Sequence, residues 1–180
     1  LALSELFWVV ATQNSLEFEG TYPLPEAQID RFLFKVVVDY PDPAHEKQML
    51  LNVQGGFESK RLDLMKLQPL ATVAQILHAR QAAQSIDIQE NVLDYLLALI
   101  QRTRKHPDIL LGASPRSAVA WLKASKAYAW LSSRKFVTPD DVKAIAPPLL
   151  RHRLILRPEA QLDGLMMDNV VESLLSQVPV

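Results

Sequence analysis

Cysteine is absent from this 180-residue chain, which excludes disulfides, thiolate-held zinc and thiol catalysis. Long apolar runs are absent too. None approaches the ~20 residues that cross a bilayer, and no basic region followed by an apolar one opens the chain as a secretion signal would. An excess of one charge is missing: 19 Lys and Arg face 20 Asp and Glu, a formal net charge of −1. Domains whose main partner is nucleic acid usually carry a basic excess, so the balance argues against that class. Glycine is scarce. The five glycines stand at 20, 55, 56, 112 and 164, and none precedes a lysine. A phosphate-cradling P-loop needs a glycine-rich turn ending in Gly-Lys-Ser/Thr, because backbone N–H groups wrap the phosphates while Lys and the hydroxyl meet phosphate and Mg²⁺. No apolar strand ending in Asp-Glu is present either.

What is there divides into two regimes. Residues 1–40 read as strand, loop, short helix, strand. Leu6-Phe7-Trp8-Val9-Val10-Ala11 and Phe32-Leu33-Phe34-Lys35-Val36-Val37-Val38 are near-continuous apolar runs, the pattern of strands buried on both faces. Two strands cannot bury both faces alone. They are therefore expected to be part of a larger α/β layer, and the chain, which begins at Leu1, the C-terminal piece of a longer protein.

From residue 41 the pattern turns helical. Asp42 suits an N-cap and Pro43 a first helical position. Met49, Leu50 and Val53 form a stripe, and Gly55-Gly56 stops it. A helix near 71–84 carries Val73, Ile76 and Leu77. Asp87 and Glu90 form an Asp-x-x-Glu capping pattern before a helix over 92–106. Pro107 ends that helix, whose last turn holds Arg102, Arg104, Lys105 and His106, cations that suit the negative end of the dipole. Ser114-Pro115 opens a helix to about Ser132, and Thr138-Pro139-Asp140-Asp141 opens another through Val142, Ile145 and Leu149. Residues 153–157 read as a short extended piece, and 167–177 as a last helix. Trp121, Tyr128 and Trp130 on the 115–132 helix read as core rather than as a binding stripe. His45, His78, His106 and His152 are too scattered to hold a metal, and no metal-ligating residue is assigned.

Three residues carry candidate chemistry. Asn14 follows the first apolar run. In a parallel sheet, ligands sit beyond the carboxyl ends of strands, and an amide there can accept from a water while donating to a phosphate oxygen; a turn-forming Asn is the plainer alternative. Arg31 closes a short helix immediately before the second run, where a lone Arg is ordinarily a solvated charge or a helix-end cap. Arg116, in Gly112-Ala113-Ser114-Pro115-Arg116, sits at the second position of a helix. A cation there opposes the dipole, which costs a few tenths of a kcal/mol, and makes sense if helix end and cation face one anion.

The run Ala11-Thr12-Gln13-Asn14, with Gln28-Ile29-Asp30-Arg31-Phe32 and Gly112-Ala113-Ser114-Pro115-Arg116, closely resembles MoxR-type AAA+ ATPases. The resemblance extends from about Leu6 to Glu159 and includes Leu93-Asp94-Tyr95, Val137 to Val142 and the Leu150-Arg151-His152-Arg153 run, itself read as structural or interfacial. Ser15 departs from the family's usual proline. The resemblance implies a fold that is mainly α: residues 1–40 as the C-terminal remnant of an α/β AAA+ core, two strands and a short helix, and residues 41–180 as an all-α helical lid domain. It implies roles of sensor 1 for Asn14, arginine finger for Arg31 and sensor 2 for Arg116. It implies ATP and Mg²⁺ as cofactors of the full-length protein and a cytoplasmic, ring-forming, chaperone-like machine. That machine would be a homo-oligomeric hexamer that remodels client proteins, often ones with von Willebrand-type domains. The 180 residues alone, without a P-loop, are expected to be inactive. A magnesium-chelatase-like or helicase-like motor, or a non-enzymatic helical interaction module, are the alternatives.

Overall fold

The computed structural model describes residues 3–13, 24–59, 61 and 68–179. Asn14 and the loop that follows it lie outside the described residues.

The elements, in chain order, are α1 (Glu26–Ile29), α2 (Pro43–Gln54), α3 (Val73–Gln84), α4 (Glu90–Lys105), β1 (Ile109–Leu111), α5 (Pro115–Leu131), α6 (Pro139–Leu150), β2 (Ile155–Leu156), α7 (Pro158–Leu162) and α8 (Met167–Gln177). Local chemistry sets most of the ends. Asp42 accepts from the amides of Ala44 and His45, and Pro43 follows at N1. At the other end of α2, Gly56 takes φ 91°, a left-handed stop that glycine adopts freely. Thr72 and Gln75 cap α3 reciprocally. Ser114 and Ser117 do the same for α5, each Oγ accepting from the other's amide.

The core lies among α4, α5, α6 and α8. Val92, Leu96, Leu99 and Ile100 of α4 meet Trp121 and Ala124 of α5, Val142, Ile145 and Leu149 of α6, and Val170, Val171 and Leu174 of α8. Trp121 is fully buried, and its indole N–H donates to the Val142 carbonyl at 2.9 Å. The aromatic residues of α5 thus split: Trp121 is core, Trp130 packs against it, and Tyr128 is exposed.

Three local expectations change. Leu6–Ala11 and Phe32–Val38 form no strand; among the described residues the only ladder is elsewhere, and Trp8, Val10, Val36 and Val38 are exposed. A strand needs a ladder of a neighbour's N–H and C=O groups, and among the described residues neither run has one; Lys35 makes a single backbone bond, to the Pro148 carbonyl. The helical part, conversely, is not purely helical. β1 and β2 pair antiparallel, Ile109 opposite Leu156, across an irregular step, and only residues 155–156 of that pair were foreshadowed by the sequence. Asp87 does not cap α4, whose N-cap is Gln89. Its backbone instead bonds Lys135 and Val137, as a parallel bridge to the segment before α6.

Candidate functional site

Gly112 is where the Arg116 helix is anchored. A Cβ built there would stand 2.7 Å from the Arg104 Cα and 2.8 Å from its backbone nitrogen, so only glycine lets the chain pass this close to α4. The end of α4 then grips the next residue from both sides. Thr103 Oγ1 accepts from the Ala113 amide at 3.0 Å, and Arg104 Nε donates to the Ala113 carbonyl at 2.8 Å. The Gly-Ala-Ser-Pro-Arg run is thus fixed to the body before Ser114 caps α5 and Arg116 emerges in its first turn, exposed.

Arg31 is placed by a different device. α1 is a single turn, and the Arg31 and Phe32 amides continue it by bonding the Gln28 and Ile29 carbonyls. Asp30, just before Arg31, reaches both ways. One carboxylate oxygen accepts from Arg153 Nε at 3.0 Å, the other from Ser114 Oγ at 3.4 Å. The residue preceding Arg31 is therefore bonded to the cap of the helix that carries Arg116, across 84 residues of sequence. Leu33 and Arg116 line one open apolar groove with Val119, Ala120, Lys123 and Ala127.

The two arginines share a further property. Arg80, Arg102, Arg104, Arg134, Arg151, Arg153 and Arg157 each donate to a carbonyl, an amide oxygen or a carboxylate. Arg31 and Arg116 are exposed, and their side chains have no hydrogen-bond or ion-pair partner among the described residues. A guanidinium presents five N–H donors in a planar fork suited to carboxylate or phosphate. Such a fork in the first turn of a helix, as Arg116 presents on α5, fits an anion such as a nucleotide phosphate. Nothing comparable fits Mg²⁺: among the described residues no three His, Asp or Glu side chains are grouped to hold a metal.

Other charged groups serve the scaffold. Asp141, almost fully buried, accepts from both terminal nitrogens of Arg134 and from the amide and hydroxyl of Thr138. Burial raises its pKa, but the Arg134 and Thr138 bonds outweigh burial and hold the carboxyl below the usual range. Sequence reasoning placed Asp141 in a helix start without seeing this pair. Arg153 was read only as part of a run that is structural or interfacial; its side chain is 2% exposed.

Residues 101–174 match the AAA lid domain, and residues 1–34 match the ATPase family associated with various cellular activities (AAA). Together with the helical body and the arginine it presents, these matches define an AAA+ chain comprising core and lid elements. The chain is 38% identical over its whole length to the uncharacterised protein YeaC of Bacillus subtilis (strain 168), covering 55% of that protein. It is 35% identical to Chaperone MoxR1 of Mycobacterium tuberculosis over 96% of this chain and 46% of the relative. A crystal structure of a Cytophaga hutchinsonii protein, provisionally described as an ATPase, superposes with a TM-score of 0.89 at 33% identity, covering 99% of this chain and 56% of that one. The chain belongs to the MoxR-type AAA+ ATPases. It spans about half the length of the curated relatives it matches. These relatives favour the MoxR reading over a chelatase-like or helicase-like motor and over a non-enzymatic module.

Proposed function

We propose that this chain supplies the sensing and trans-acting arginines of a longer ATPase that couples ATP hydrolysis in a ring to chaperone-like remodelling of a client protein. One observation carries the reading: the two arginines singled out by motif, Arg31 and Arg116, are also exposed, and their side chains have no partner among the described residues. Arg31 would act as the finger that meets the γ-phosphate held by the neighbouring subunit. Arg116, with the first turn of α5, would read the nucleotide from the lid. Asn14 would orient the attacking water, a role that rests on its sequence context alone. Phosphoryl transfer spreads negative charge over equatorial oxygens, and a planar guanidinium meets that charge bidentately. ATP and Mg²⁺ would be held by parts of the longer protein other than these 180 residues, which have no P-loop sequence.

The family resemblance further supports a homo-hexameric ring, a cytoplasmic location and clients with von Willebrand-type domains. The name Chaperone MoxR1 of the mycobacterial relative supports the remodelling role. Within the chain, a boundary near residue 40 would separate the core remnant from the lid.

The test is subunit mixing in the full-length protein. Arg31→Ala should leave ATP binding nearly intact and lower hydrolysis on the order of 10³-fold or more, as loss of such a finger does elsewhere. Mixed rings with subunits that keep the finger but have a dead P-loop should recover part of the activity, because each subunit supplies what its neighbour lacks. Normal hydrolysis by Arg31→Ala, or no recovery in well-formed mixed rings, would reassign Arg31 to the scaffold.

A further inference from the structure

The end of α6 leaves four carbonyls that no helical amide can satisfy in the ordinary way, and their partners reveal a device. The Pro147 carbonyl accepts from the Arg151 amide, and that of Leu150 from the amides of Arg153 and Leu154. The other two are met by long-range contacts. Pro148 accepts from the Lys35 amide at 2.9 Å. Leu149 accepts from a terminal nitrogen of Arg153.

The turn after α6, Arg151-His152-Arg153, reaches back to residues 30–35 with all three side chains. Arg153 has five N–H donors, and each has an acceptor. Nε bonds the Asp30 carboxylate at 3.0 Å. One terminal nitrogen serves the Leu33 carbonyl at 2.8 Å and that of Leu149, and the other serves the Phe32 carbonyl and, at 3.4 Å, that of Asp30. His152 Nε2 also meets the Phe32 carbonyl, at 3.0 Å. Since a carbonyl only accepts, Nε2 carries the proton. Arg151 donates to the Lys35 carbonyl at 3.2 Å while pairing with Asp168 at the start of α8. The carbonyls of residues 30, 32 and 33, on both sides of Arg31, are thus held by one buried guanidinium, and Asp30 passes the connection on to Ser114 at the cap of α5.

We propose that the Arg151-His152-Arg153 turn is a clamp, with Arg153 as its positioning residue, that fixes the backbone carrying Arg31 against the helix carrying Arg116, so that the two arginines move as one unit with the lid. The proposal rests on the reading of Arg31 as a finger for its consequence in catalysis, and on the bonds above for the clamp itself. A finger works only if its backbone is held; a misplacement of about 1 Å can cost on the order of 10²-fold in rate. Residues 30–35 have no sheet ladder to hold them in the described structure, and the clamp takes that place. A lysine at 153 would keep the charge with three donors on one atom instead of five in a plane, and could not serve these carbonyls together.

Two measurements test it. In the 180-residue chain, Arg153→Lys should speed hydrogen exchange at the Lys35 amide by about tenfold or more while amides in the middle of α4 and α5 keep their protection. Unchanged protection at Lys35 would overturn the clamp. Should Arg153→Lys fail to fold, Asp30→Asn changes only the clamped side and is read in the same way. In the full-length protein, Arg153→Lys should lower kcat about tenfold or more with KM for ATP within about twofold. The double variant Arg31→Ala/Arg153→Lys should be no slower than Arg31→Ala alone, since both changes remove one function. Multiplying losses would show that Arg153 does not act through Arg31. If Arg31→Ala alone leaves hydrolysis intact, the finger reading fails, and the exchange measurement still decides the clamp.

Discussion

Trp8 and Trp121 belong to segments of similar apolar character, yet Trp8 is 79% exposed and Trp121 fully buried. The contrast runs through both regions. Val10, Val36, Val38 and Tyr40 face solvent, whereas Ile100, Val142, Leu149 and Val171 are sealed among α4, α5, α6 and α8. Hydrophobicity is a demand for neighbours, met in the body by helices that cross it. Among the described residues of 3–40, the main attachment to the body is at residues 30–35, held by the α6 turn and the Ser114 cap, with a further bond from Arg80 to the Glu5 carbonyl. The stability of these 180 residues is therefore expected to reside in the body, with residues 30–35 as the main attachment of the described residues before 40.

The sharpest test of that contrast is to remove one tryptophan from each side. Trp121→Ala should cost about 3–5 kcal/mol, the range for deleting a large buried aromatic, and it also orphans the bond to Val142. Trp8→Ala should stay within about 0.5 kcal/mol, as exposed substitutions do. Urea unfolding of the two variants gives both values. Equal losses would mean that residues 6–11 are packed in solution.

Two changes probe how the body holds its ends. Asp141→Ala should cost about 2–3 kcal/mol by urea unfolding, because it removes the carboxylate that binds Arg134 and the Thr138 amide at the start of α6. A loss below about 0.5 kcal/mol would mean that the pair is formed only loosely. Shortening the chain locates the attachment. A chain beginning at Pro25 should unfold with nearly unchanged stability. One beginning at Tyr40 should keep its cooperative transition but lose about 1–2 kcal/mol, because Arg153 and the Pro148 carbonyl lose partners and turn to water. Loss of helical circular dichroism in the Tyr40 chain would place the boundary elsewhere.

The smallest effect concerns pH. Burial is the main force holding the His152 pKa below its ordinary 6.5; the nearby charges of Arg153 and Lys35 act in the same direction, against the Phe32 bond and Asp30. Its folded pKa being depressed, the unfolded chain binds this proton first as pH falls. Stability should decline as pH drops from about 6.5 towards the folded value, by at most about 1.4 kcal/mol per pH unit from this group, and level off below it. His152→Gln should remove that part of the slope. An unchanged slope would mean that His152 titrates alike in both states.

The sequence by itself determined most of the helix ends. Asp42-Pro43, Ser114-Pro115, Thr138-Pro139 and Gly55-Gly56 act within a few residues of themselves, so their signals survive without knowledge of the fold. Arg31 and Arg116 could be singled out as candidates because their motifs are local strings. Tertiary structure alone decided the rest. Whether Leu6–Ala11 becomes a strand depends on neighbours, not on its own residues. The β1–β2 pair joins segments more than 40 residues apart, and Gly112 is required because α4 passes behind it. Arg153 reads in sequence only as part of a run that is structural or interfacial, with no partner named. It becomes the fixed point of the candidate site because the acceptors for four of its five donors lie about 120 residues away, and only the folded chain brings them within reach.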